Sequence, residues 1–406
     1  MSKSVLPRLA ASVVSEQLRV MPVVILSGTR QTGKSTLAKE VSPPTRTYRT
    51  LDDFDTRALA AEDPASLVGT PGELTLDEVQ REPELLLAVK RQVDLDRSPG
   101  RFLLTGSADL LLMRGVSETL AGRASYITLR PMTRRERNGL GTCGRWDVLV
   151  NTPPREWLDR LNDRPPKDDW MSLCRRGGFP TPAVEMTNDR ERSIWFEGYV
   201  RTYLERDLRE LSSVSSLADF RRLMQAAALR VGTVVNQSEL SRDVGLPQPT
   251  VHRYLNLLQT SYILVRVPAY SVNRAKRLMK SPKLYWADPG LALHLADETK
   301  PRGHHFENAV LNDLIVWRDT REGRAEILHW RTTGGEEVDF VIETASQLVP
   351  IEVKTTSRLS VGDGRHLRSF CREYGDRARA GLLLHAGTTA EWLSADVLAV
   401  PWWYVV

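Results

Sequence analysis

Residues 22–40 constrain the fold of this chain more than any other segment. Residues 22–27 are apolar and rich in β-branched side chains, residues 28–36 read Gly-Thr-Arg-Gln-Thr-Gly-Lys-Ser-Thr, and helix-forming residues follow. This is the pattern G-x-x-x-x-G-K-[ST] between a buried strand and a helix. Its two glycines let the loop wrap so that successive backbone N–H groups point inward, and the helix N-terminus adds its positive end. The segment therefore predicts a phosphate-binding loop in a parallel α/β sheet.

The residue types within this loop predict its ligand. All nine positions are expected to surround the phosphates, namely Gly28, Thr29, Arg30, Gln31, Thr32, Gly33, Lys34, Ser35 and Thr36. We expect Lys34 to reach the β and γ phosphates and the Ser35 hydroxyl to complete the shell of a Mg²⁺ ion. The predicted ligands are ATP and Mg²⁺.

A second, acidic strand is expected downstream, because such a loop needs a carboxylate to hold its metal ion. Residues 73–80 read Glu-Leu-Thr-Leu-Asp-Glu-Val-Gln, which places Asp77 and Glu78 at the C-terminal end of a strand. We expect Asp77 to hold Mg²⁺, directly or through water. We expect Glu78 to polarise the attacking water, since hydrolysis needs a base beside the metal but not on it. The pair predicts ATP hydrolysis as well as binding.

Residues 101–107 form a third apolar strand pattern, which ends in small hydroxylated side chains. Ligands bind at the carboxyl ends of parallel strands, so we expect Thr105 and Ser107 where a sensor of the γ-phosphate would lie. Further along, Arg123 lies in a tight turn before another strand. It fits an arginine finger, a γ-phosphate sensor or an ion-paired surface arginine, and the sequence leaves these roles open.

The order of these motifs resembles a prokaryotic family of AAA-like P-loop ATPases with a C-terminal domain of unknown function. The motifs that carry the resemblance are residues 28–35, 76–80, 104–107, 120–123 and 129–136, with residues 176–180 and 199–207 further along. The resemblance covers essentially the whole chain. It implies ATP binding and leaves the wider role of the protein undefined.

The basic charge is concentrated in one span. Lys and Arg number 56 against 51 Asp and Glu, so the formal net charge of the 406-residue chain is +5. The span Arg266–Lys283 contains six basic residues and no acid, which leaves the rest of the chain close to neutral. It predicts an anionic partner at one surface.

Cysteine usage and apolar runs indicate the compartment. Cys143, Cys174 and Cys371 are scattered and form no C-x-x-C pair, which fits a reducing cytoplasm better than a disulfide framework. Glu16 and Arg19 interrupt the apolar stretch near the N-terminus, and no run reaches the roughly 18 residues of a membrane span. We expect a cytoplasmic protein without a membrane partner.

The middle of the chain resembles a DNA-binding fold. Residues 138–170 are rich in Pro and Gly and predict a boundary. Helical patterns at 217–230, 237–244 and 247–258, then strand patterns at 262–267 and 283–286, resemble a helix-turn-helix with a two-stranded wing. The third helix is expected to present Gln248, Thr250, His252, Arg253 and Asn256 to solvent or a groove. One hypothesis is that this segment contacts DNA phosphates, and the other is that it is a packing module between the neighbouring domains.

The last segment predicts a helix from Phe306 and strands near 326–331, 338–342, 349–354 and 380–385. Alternate residues of a strand share a face, so Glu352 and Lys354 emerge side by side, and Asp339 can converge on them. The acids could bind a metal ion, with Glu307 as a further ligand; Lys354 would stabilise a phosphate. The pattern resembles the restriction-endonuclease-like superfamily, with Val338 where that superfamily often has Pro.

The sequence thus predicts an α/β multidomain protein: a P-loop AAA-like parallel-sheet domain at 1–137, a connector and helical linker at 138–212, a winged helix at 213–299 and a restriction-endonuclease-like α/β domain at 300–406. The leading hypothesis is ATP-dependent action on DNA. Two alternatives are a slow switch that binds a protein partner, with a silent nuclease-like domain, and an ATP-gated nuclease. A homo-oligomer is expected if Arg123 acts in a neighbouring subunit.

Overall fold

The apolar run after Pro22 lies within a five-stranded parallel sheet. The computed structural model describes residues 5–106, 120–161, 167–202 and 216–406. The strands are β1 (Val23–Ser27), β2 (Thr47–Thr50), β3 (Leu74–Asp77), β4 (Phe102–Thr105) and β5 (Ala124–Thr128). Their order is β2-β3-β4-β1-β5, with parallel pairing throughout. The carboxyl ends of the strands therefore share one edge, where the phosphate-binding loop follows β1.

Helices cover both faces of this sheet. They are α1 (Ala10–Leu18), α2 (Lys34–Glu40), α3 (Phe54–Glu62), α4 (Pro64–Val68) and α5 (Leu85–Leu95), followed by α6 (Arg134–Arg137). Within β1, Val23 and Ile25 belong to one hydrophobic cluster while Val24 and Leu26 belong to another. The strand is apolar along its whole length because each face of a parallel sheet needs its own core.

Residues 146–295 are mainly helical. The helices are α7 (Trp146–Asn151), α8 (Trp157–Arg160), α9 (Trp170–Arg176), α10 (Asp189–Tyr199), α11 (Leu217–Ala228), α12 (Gln237–Val244), α13 (Gln248–Thr260), α14 (Arg274–Met279) and α15 (Pro289–Leu295). Strands β6 (Leu264–Val267) and β7 (Lys283–Trp286) pair antiparallel. The Asn236 side chain caps α12, and Gly245, with φ of 66°, ends it before α13.

The C-terminal part is a six-stranded mixed sheet packed against helices α16 (Gly303–Thr320) and α17 (Arg365–Tyr374). Its strands are β8 (Glu326–Arg331), β9 (Glu337–Glu343), β10 (Leu348–Lys354), β11 (Gly381–His385), β12 (Glu391–Ser394) and β13 (Val397–Pro401). The order is β12-β13-β11-β10-β9-β8. Strands β8, β9 and β10 form an antiparallel meander, and β11 lies parallel to β10 after the α17 crossover.

One hydrophobic cluster runs from Trp146 to Val406 and joins the middle helices to the C-terminal sheet, and a second cluster lies between that sheet and α17. The described part of the predicted connector and helical linker at 138–212 forms short helices, and its Trp146 and Trp157 are buried in the first of these clusters. Burial of large indole rings fixes these helices between their Pro and Gly breaks. In the part of the chain that the structure describes, no helix is both long and apolar enough to cross a bilayer.

Candidate functional site

The loop after β1 has the backbone that its glycines predict. Gly28 has φ of 137°, and a Cβ there would collide with the carbonyl oxygen of Leu129. Gly33 has φ of 92° and lies at the N-cap of α2. Both positions therefore favour glycine, and the loop wraps around the N-terminus of the helix.

Lys34 lies inside this loop. Its Nζ donates to the carbonyl oxygens of Gly28 and Thr29 at 3.2 and 2.8 Å. Burial lowers the pKa of Lys34 to about 8, and the carboxylates of Glu78 and Asp77 oppose that shift only in part. The buried ammonium is satisfied by neutral carbonyls alone, so phosphate oxygens would add the negative charge it lacks.

Several hydroxyl groups form hydrogen bonds with the carboxylate of Asp77, at the end of β3. The Ser35 Oγ donates to its Oδ1 at 2.9 Å, the Tyr48 hydroxyl donates to its Oδ2 at 2.7 Å, and the Thr105 hydroxyl also contacts it. Adjacent hydroxyl and carboxylate oxygens suit a hard cation such as Mg²⁺. Ser35 and Asp77 therefore fit the predicted metal, which would neutralise phosphate charge when bound. Tyr48 was missed because nothing in its local sequence sets it apart.

Glu78 follows Asp77 in the left-handed region, with φ of 60°. Its backbone N–H donates to the Thr105 Oγ1 at 3.3 Å, and its carboxylate contacts the Gln80 side chain. A non-glycine residue in this conformation is held by its surroundings, as happens at functional sites. The predicted base thus lies beside the predicted metal ligand, Asp77, and Ser107 lies outside the described residues.

Arg8 is a second residue that sequence reasoning missed. Its guanidinium donates to the carbonyl oxygens of Thr32 and Arg130 at 2.7 and 2.6 Å and pairs with Glu136 at 3.1 Å. Through Thr32 and Arg130, Arg8 joins the phosphate-binding loop to the segment that follows edge strand β5. These partners are 24 to 128 residues away in sequence, so no local sequence pattern predicts the contacts.

Arg123 does not lie near the phosphate-binding loop of its own chain. It immediately precedes β5, whose Ala124 pairs with Val23 at the start of β1, so it is at the opposite edge of the sheet. Its Nε pairs with Asp94 at 2.7 Å. Parallel strands put all N-terminal ends together, so a γ-phosphate sensor acting within one chain is ruled out. In the structure, Arg123 is an ion-paired arginine whose partner is Asp94.

Two other parts of the chain touch the nucleotide edge. The Tyr262 hydroxyl lies 3.3 Å from the Ser27 Oγ, directly before the phosphate-binding loop. Arg130, after β5, pairs with Asp319 of α16 at 3.2 Å. A cavity of about 300 Å³ separates part of α10 from the loop; its lining includes Arg30, Gln31, Trp195 and Tyr199. The middle segment therefore contacts the residue before the loop and shares a cavity with the loop, while the C-terminal segment contacts Arg130.

The basic span Arg266–Lys283 is less exposed than its composition suggests. Arg277 is buried and pairs with Glu343, with Nη2 to Oε1 at 3.0 Å. Lys283 is buried among carboxylates, and Arg266 is half-buried. The predicted anionic partner could therefore meet only part of this charge, since tertiary ion pairs neutralise Arg277 and Lys283. The fully exposed cations of the span are Arg274, Lys276 and Lys280.

The C-terminal acids meet in one buried region, which we call the carboxylate cluster (Glu307, Asp339 and Glu352). Asp339 Oδ2 accepts the Val353 N–H at 2.9 Å, and Lys354 Nζ donates to Glu352 Oε1 at 2.7 Å. The third member, Glu307, accepts from the Tyr285 hydroxyl at 3.1 Å. The topology thus brings these acids and Lys354 together from α16, β9 and β10.

Burial dominates the electrostatics of this cluster. Desolvation, followed by the charge of Asp339, raises the pKa of Glu352 to about 8 and that of Glu307 well above its usual range. Burial alone would lower the pKa of Lys283, but the carboxylates of Asp339, Glu307 and Glu337 outweigh it and raise that pKa. Lys283 and Tyr285, both on β7, were not assigned to this region from sequence.

The first sheet and its loop define an AAA-type P-loop nucleotide-binding ATPase domain. A family model described as AAA domain matches residues 21–138, and two models described as domains of unknown function, DUF8612 and DUF4143, match residues 167–302 and 302–405. The AAA match contains every predicted nucleotide contact, from Gly28 to Ser107.

Two mycobacterial proteins align with almost the whole chain. Uncharacterized protein Rv2008c of Mycobacterium tuberculosis and uncharacterized protein Mb2031c of Mycobacterium bovis are each 32% identical over 404 residues, which is 97% of this chain and 82% of theirs. The chain belongs to the family of these proteins. A solved structure, the Walker-type ATPase of Pyrococcus abyssi, aligns at 18% identity over 70% of this chain and 94% of that one, with a TM-score of 0.43, which does not establish a shared fold.

Proposed function

We propose that ATP bound and hydrolysed at the P-loop controls how the middle segment engages DNA. Helices α11, α12 and α13 followed by the β6–β7 hairpin have the order of a winged helix. Val234, between α11 and α12, forms an antiparallel bridge with Lys283, which supplies the third strand position of such a fold. This arrangement supports the winged-helix assignment beyond the helical spacing alone.

Charge supports DNA as the partner. Helix α13 contains no acidic residue, and its His252 and Arg253 are exposed. The adjacent loop between β6 and β7 adds three exposed cations, Arg274, Lys276 and Lys280. Cations beside a recognition helix can neutralise backbone phosphates, which supplies affinity without sequence selection.

The observation that carries the coupling is the contact between Tyr262 and Ser27. Tyr262 immediately precedes the hairpin, with φ of 59°, while Ser27 ends β1 where the P-loop begins. The Arg130 guanidinium lies over the Tyr262 ring, 5.6 Å from its centroid. A change in the loop on nucleotide binding would therefore reach the hairpin through one side chain.

A DNA titration at several salt concentrations, with and without ATP, tests this proposal. We expect the logarithm of the affinity to fall linearly with the logarithm of salt concentration, and ATP to shift the affinity. Replacing the three exposed loop cations by alanine should reduce the slope by about 0.9 for each phosphate that the loop no longer neutralises. The matched control replaces three exposed arginines of the first domain, Arg19, Arg57 and Arg91.

Equal slopes in the loop variant and the control would remove the hairpin from the DNA interface. Absence of any ATP effect, with DNA binding intact, would refute coupling while leaving the DNA-binding surface in place.

A protein partner is the second candidate, and one observation favours it. The loop between β6 and β7 exposes apolar side chains among its cations, with Val272, Leu278 and Met279 exposed by 71, 89 and 87%. A slow nucleotide switch could bind a partner through this surface. The double variant L278S/M279S should then abolish partner binding and leave the salt slope for DNA unchanged.

Arg123 retains one proposed catalytic role, as an arginine finger supplied to a neighbouring subunit. Its half-buried side chain lies at the edge of the sheet where another copy could approach, although it would have to leave Asp94. ATP turnover per chain should then rise with protein concentration and be lost in Arg123→Ala. A flat specific activity would leave Arg123 as a structural ion pair.

The C-terminal sheet supports a restriction-endonuclease-like fold as a proposal. The order α16, β8, β9, β10, α17, β11 places an acid on one strand and Glu352 and Lys354 on the next. A nuclease would also need the carboxylate cluster to bind a metal ion. Mg²⁺-dependent nicking lost in Asp339→Ala and Lys354→Ala would support cleavage, and nicking that persists in both would exclude it.

A further inference from the structure

We infer that Lys283 and a divalent cation are alternative occupants of the carboxylate cluster, and that the chain's own lysine takes the place expected for a metal ion. The inference concerns the cluster alone and holds whether or not the hairpin binds DNA. Three observations carry it: the burial of Lys283, the occupation of Asp339 and the free oxygen of Glu352.

Lys283 is inserted into the cluster from β7, a strand outside the C-terminal sheet. Its side chain is 1% exposed, and Nζ lies 2.5 Å from Glu337 Oε1 and 3.5 Å from Asp339 Oδ1. Lysine is almost never fully buried unless it is paired, because its charge loses hydration. The acids are therefore what holds this lysine inside the protein.

With Lys283 in place, the residues do not fit a metal ion. One oxygen of Asp339 faces the ammonium and the other accepts the Val353 N–H at 2.9 Å. A Mg²⁺ ion needs oxygen ligands at about 2.0–2.1 Å in near-octahedral geometry, which would bring it against the ammonium charge. Within the described residues, the carboxylate oxygens of the three cluster acids do not all lie close enough to one another to coordinate one ion.

The cluster nevertheless retains capacity for a cation. Glu352 Oε2 is buried and has no hydrogen-bond partner in the described part of the chain. Such an orphaned carboxylate oxygen is costly, and a cation or a proton satisfies it. Withdrawal of Lys283 would free Asp339 Oδ1, and a divalent ion could then bind to it and to the already unpartnered Glu352 Oε2.

Competition between Lys283 and a metal ion would link the carboxylate cluster to the β6–β7 hairpin. Lys283 is the first residue of β7, directly after the loop that exposes Arg274, Lys276 and Lys280. A metal ion that displaces its ammonium would break the contacts of this end of the hairpin with Glu337 and Asp339. Metal occupancy and the position of the Lys283 side chain are therefore linked in a single equilibrium.

Titration of nucleotide-free full-length protein with Mn²⁺, with free Mn²⁺ followed by electron paramagnetic resonance, tests the inference. Wild-type protein should bind Mn²⁺ only weakly at a site that depends on Asp339, because Lys283 competes for that site. Lys283→Met should bind Mn²⁺ there at least tenfold more tightly, and the double variant K283M/D339N should lose the site. Lys300→Met, which removes an exposed lysine without an assigned role, should behave as wild type.

An Asp339-dependent site that binds Mn²⁺ equally tightly in wild type and in Lys283→Met would overturn the inference, and so would a Lys283→Met variant without such a site. If Lys283→Met is unfolded without metal, Mn²⁺ should restore its structure, because a ligand that binds only the folded state stabilises it. The circular dichroism of K283M should then recover in Mn²⁺, while that of K283M/D339N should not. Failure of Mn²⁺ to restore K283M would refute the inference.

Discussion

The P-loop and the carboxylate cluster each bury a lysine close to acids, yet the two lysines are held in opposite ways. Lys34 donates to backbone carbonyls, and burial lowers its pKa to about 8. Lys283 contacts carboxylates, which raise its pKa despite burial. The difference shows that burial alone does not decide whether a lysine is available to a ligand, because the charge of its partners decides it.

The acids differ in the same sense. Asp77 is surrounded by hydroxyl donors, which carry no charge and leave its negative charge uncancelled. Asp339 faces an ammonium. The charges at the P-loop are therefore left to be balanced by a bound phosphate and metal ion. The carboxylate cluster has much of its negative charge balanced by a lysine of the same chain.

The largest expected effect comes from removing the internal cation. Lys283→Met should lower the stability of the protein by about 3–5 kcal/mol, because breaking a buried ion pair leaves uncompensated charge. Urea denaturation in metal-free buffer measures it. Lys280→Met should change stability by no more than about 0.5 kcal/mol. Equal effects of the two substitutions would mean that the carboxylates do not depend on Lys283.

Lys34→Ala should reduce ATP turnover by at least about 100-fold, since it removes the cation that stabilises the transferred phosphoryl group. Steady-state phosphate release measures the decrease. Lys39→Ala, an exposed lysine of the same helix, is the matched control and should retain turnover. Intact turnover in Lys34→Ala would disprove the site assignment.

ATP affinity should fall as the pH rises above about 8, the pKa of Lys34 in the nucleotide-free protein. Phosphates favour the charged lysine, so binding above that pH requires proton uptake and weakens by up to about tenfold per pH unit. Titration with a fluorescent ATP analogue between pH 7 and 9.5 measures the profile. Lys34→Arg should flatten it, because arginine stays charged in this range; an unchanged slope would contradict the assignment.

The smallest effect is expected at the contact between the two regions. Tyr262→Phe removes one hydrogen bond of roughly 1 kcal/mol, and it should reduce the effect of ATP on DNA affinity by about fivefold. The readout is the ratio of DNA dissociation constants with and without ATP. Tyr126→Phe, on half-exposed Tyr126 of β5, should leave the ratio unchanged. An unaltered ratio in Tyr262→Phe would place the coupling elsewhere.

Motifs with fixed local geometry were accessible from the sequence. The loop at 28–36 and the acidic pair Asp77 and Glu78 could be placed because a strand, a glycine turn and a helix N-terminus are consecutive in the chain. The strands of the C-terminal meander were also predictable, from their apolar runs and the turn at Gly335. In each case neighbouring residues carry the information.

Residues whose roles depend on distant partners were not accessible. Arg8 reaches the P-loop from an N-terminal segment, and Lys283 was counted as surface charge because its neighbours in sequence are basic. The role of Arg123 within one chain was excluded only when the sheet placed it at the edge away from the loop. Such assignments require the register of the sheet and the packing between segments.

The sequence by itself determined a phosphate-binding loop, the acids that accompany it and the acidic strands near the C-terminus, because glycine conformation and strand alternation are local properties. Only the tertiary structure decided which charges remain available. Lys34 and Lys283 are both lysines that the fold buries, and the electrostatic energy of each is set by groups that the chain brings near it from far along the sequence.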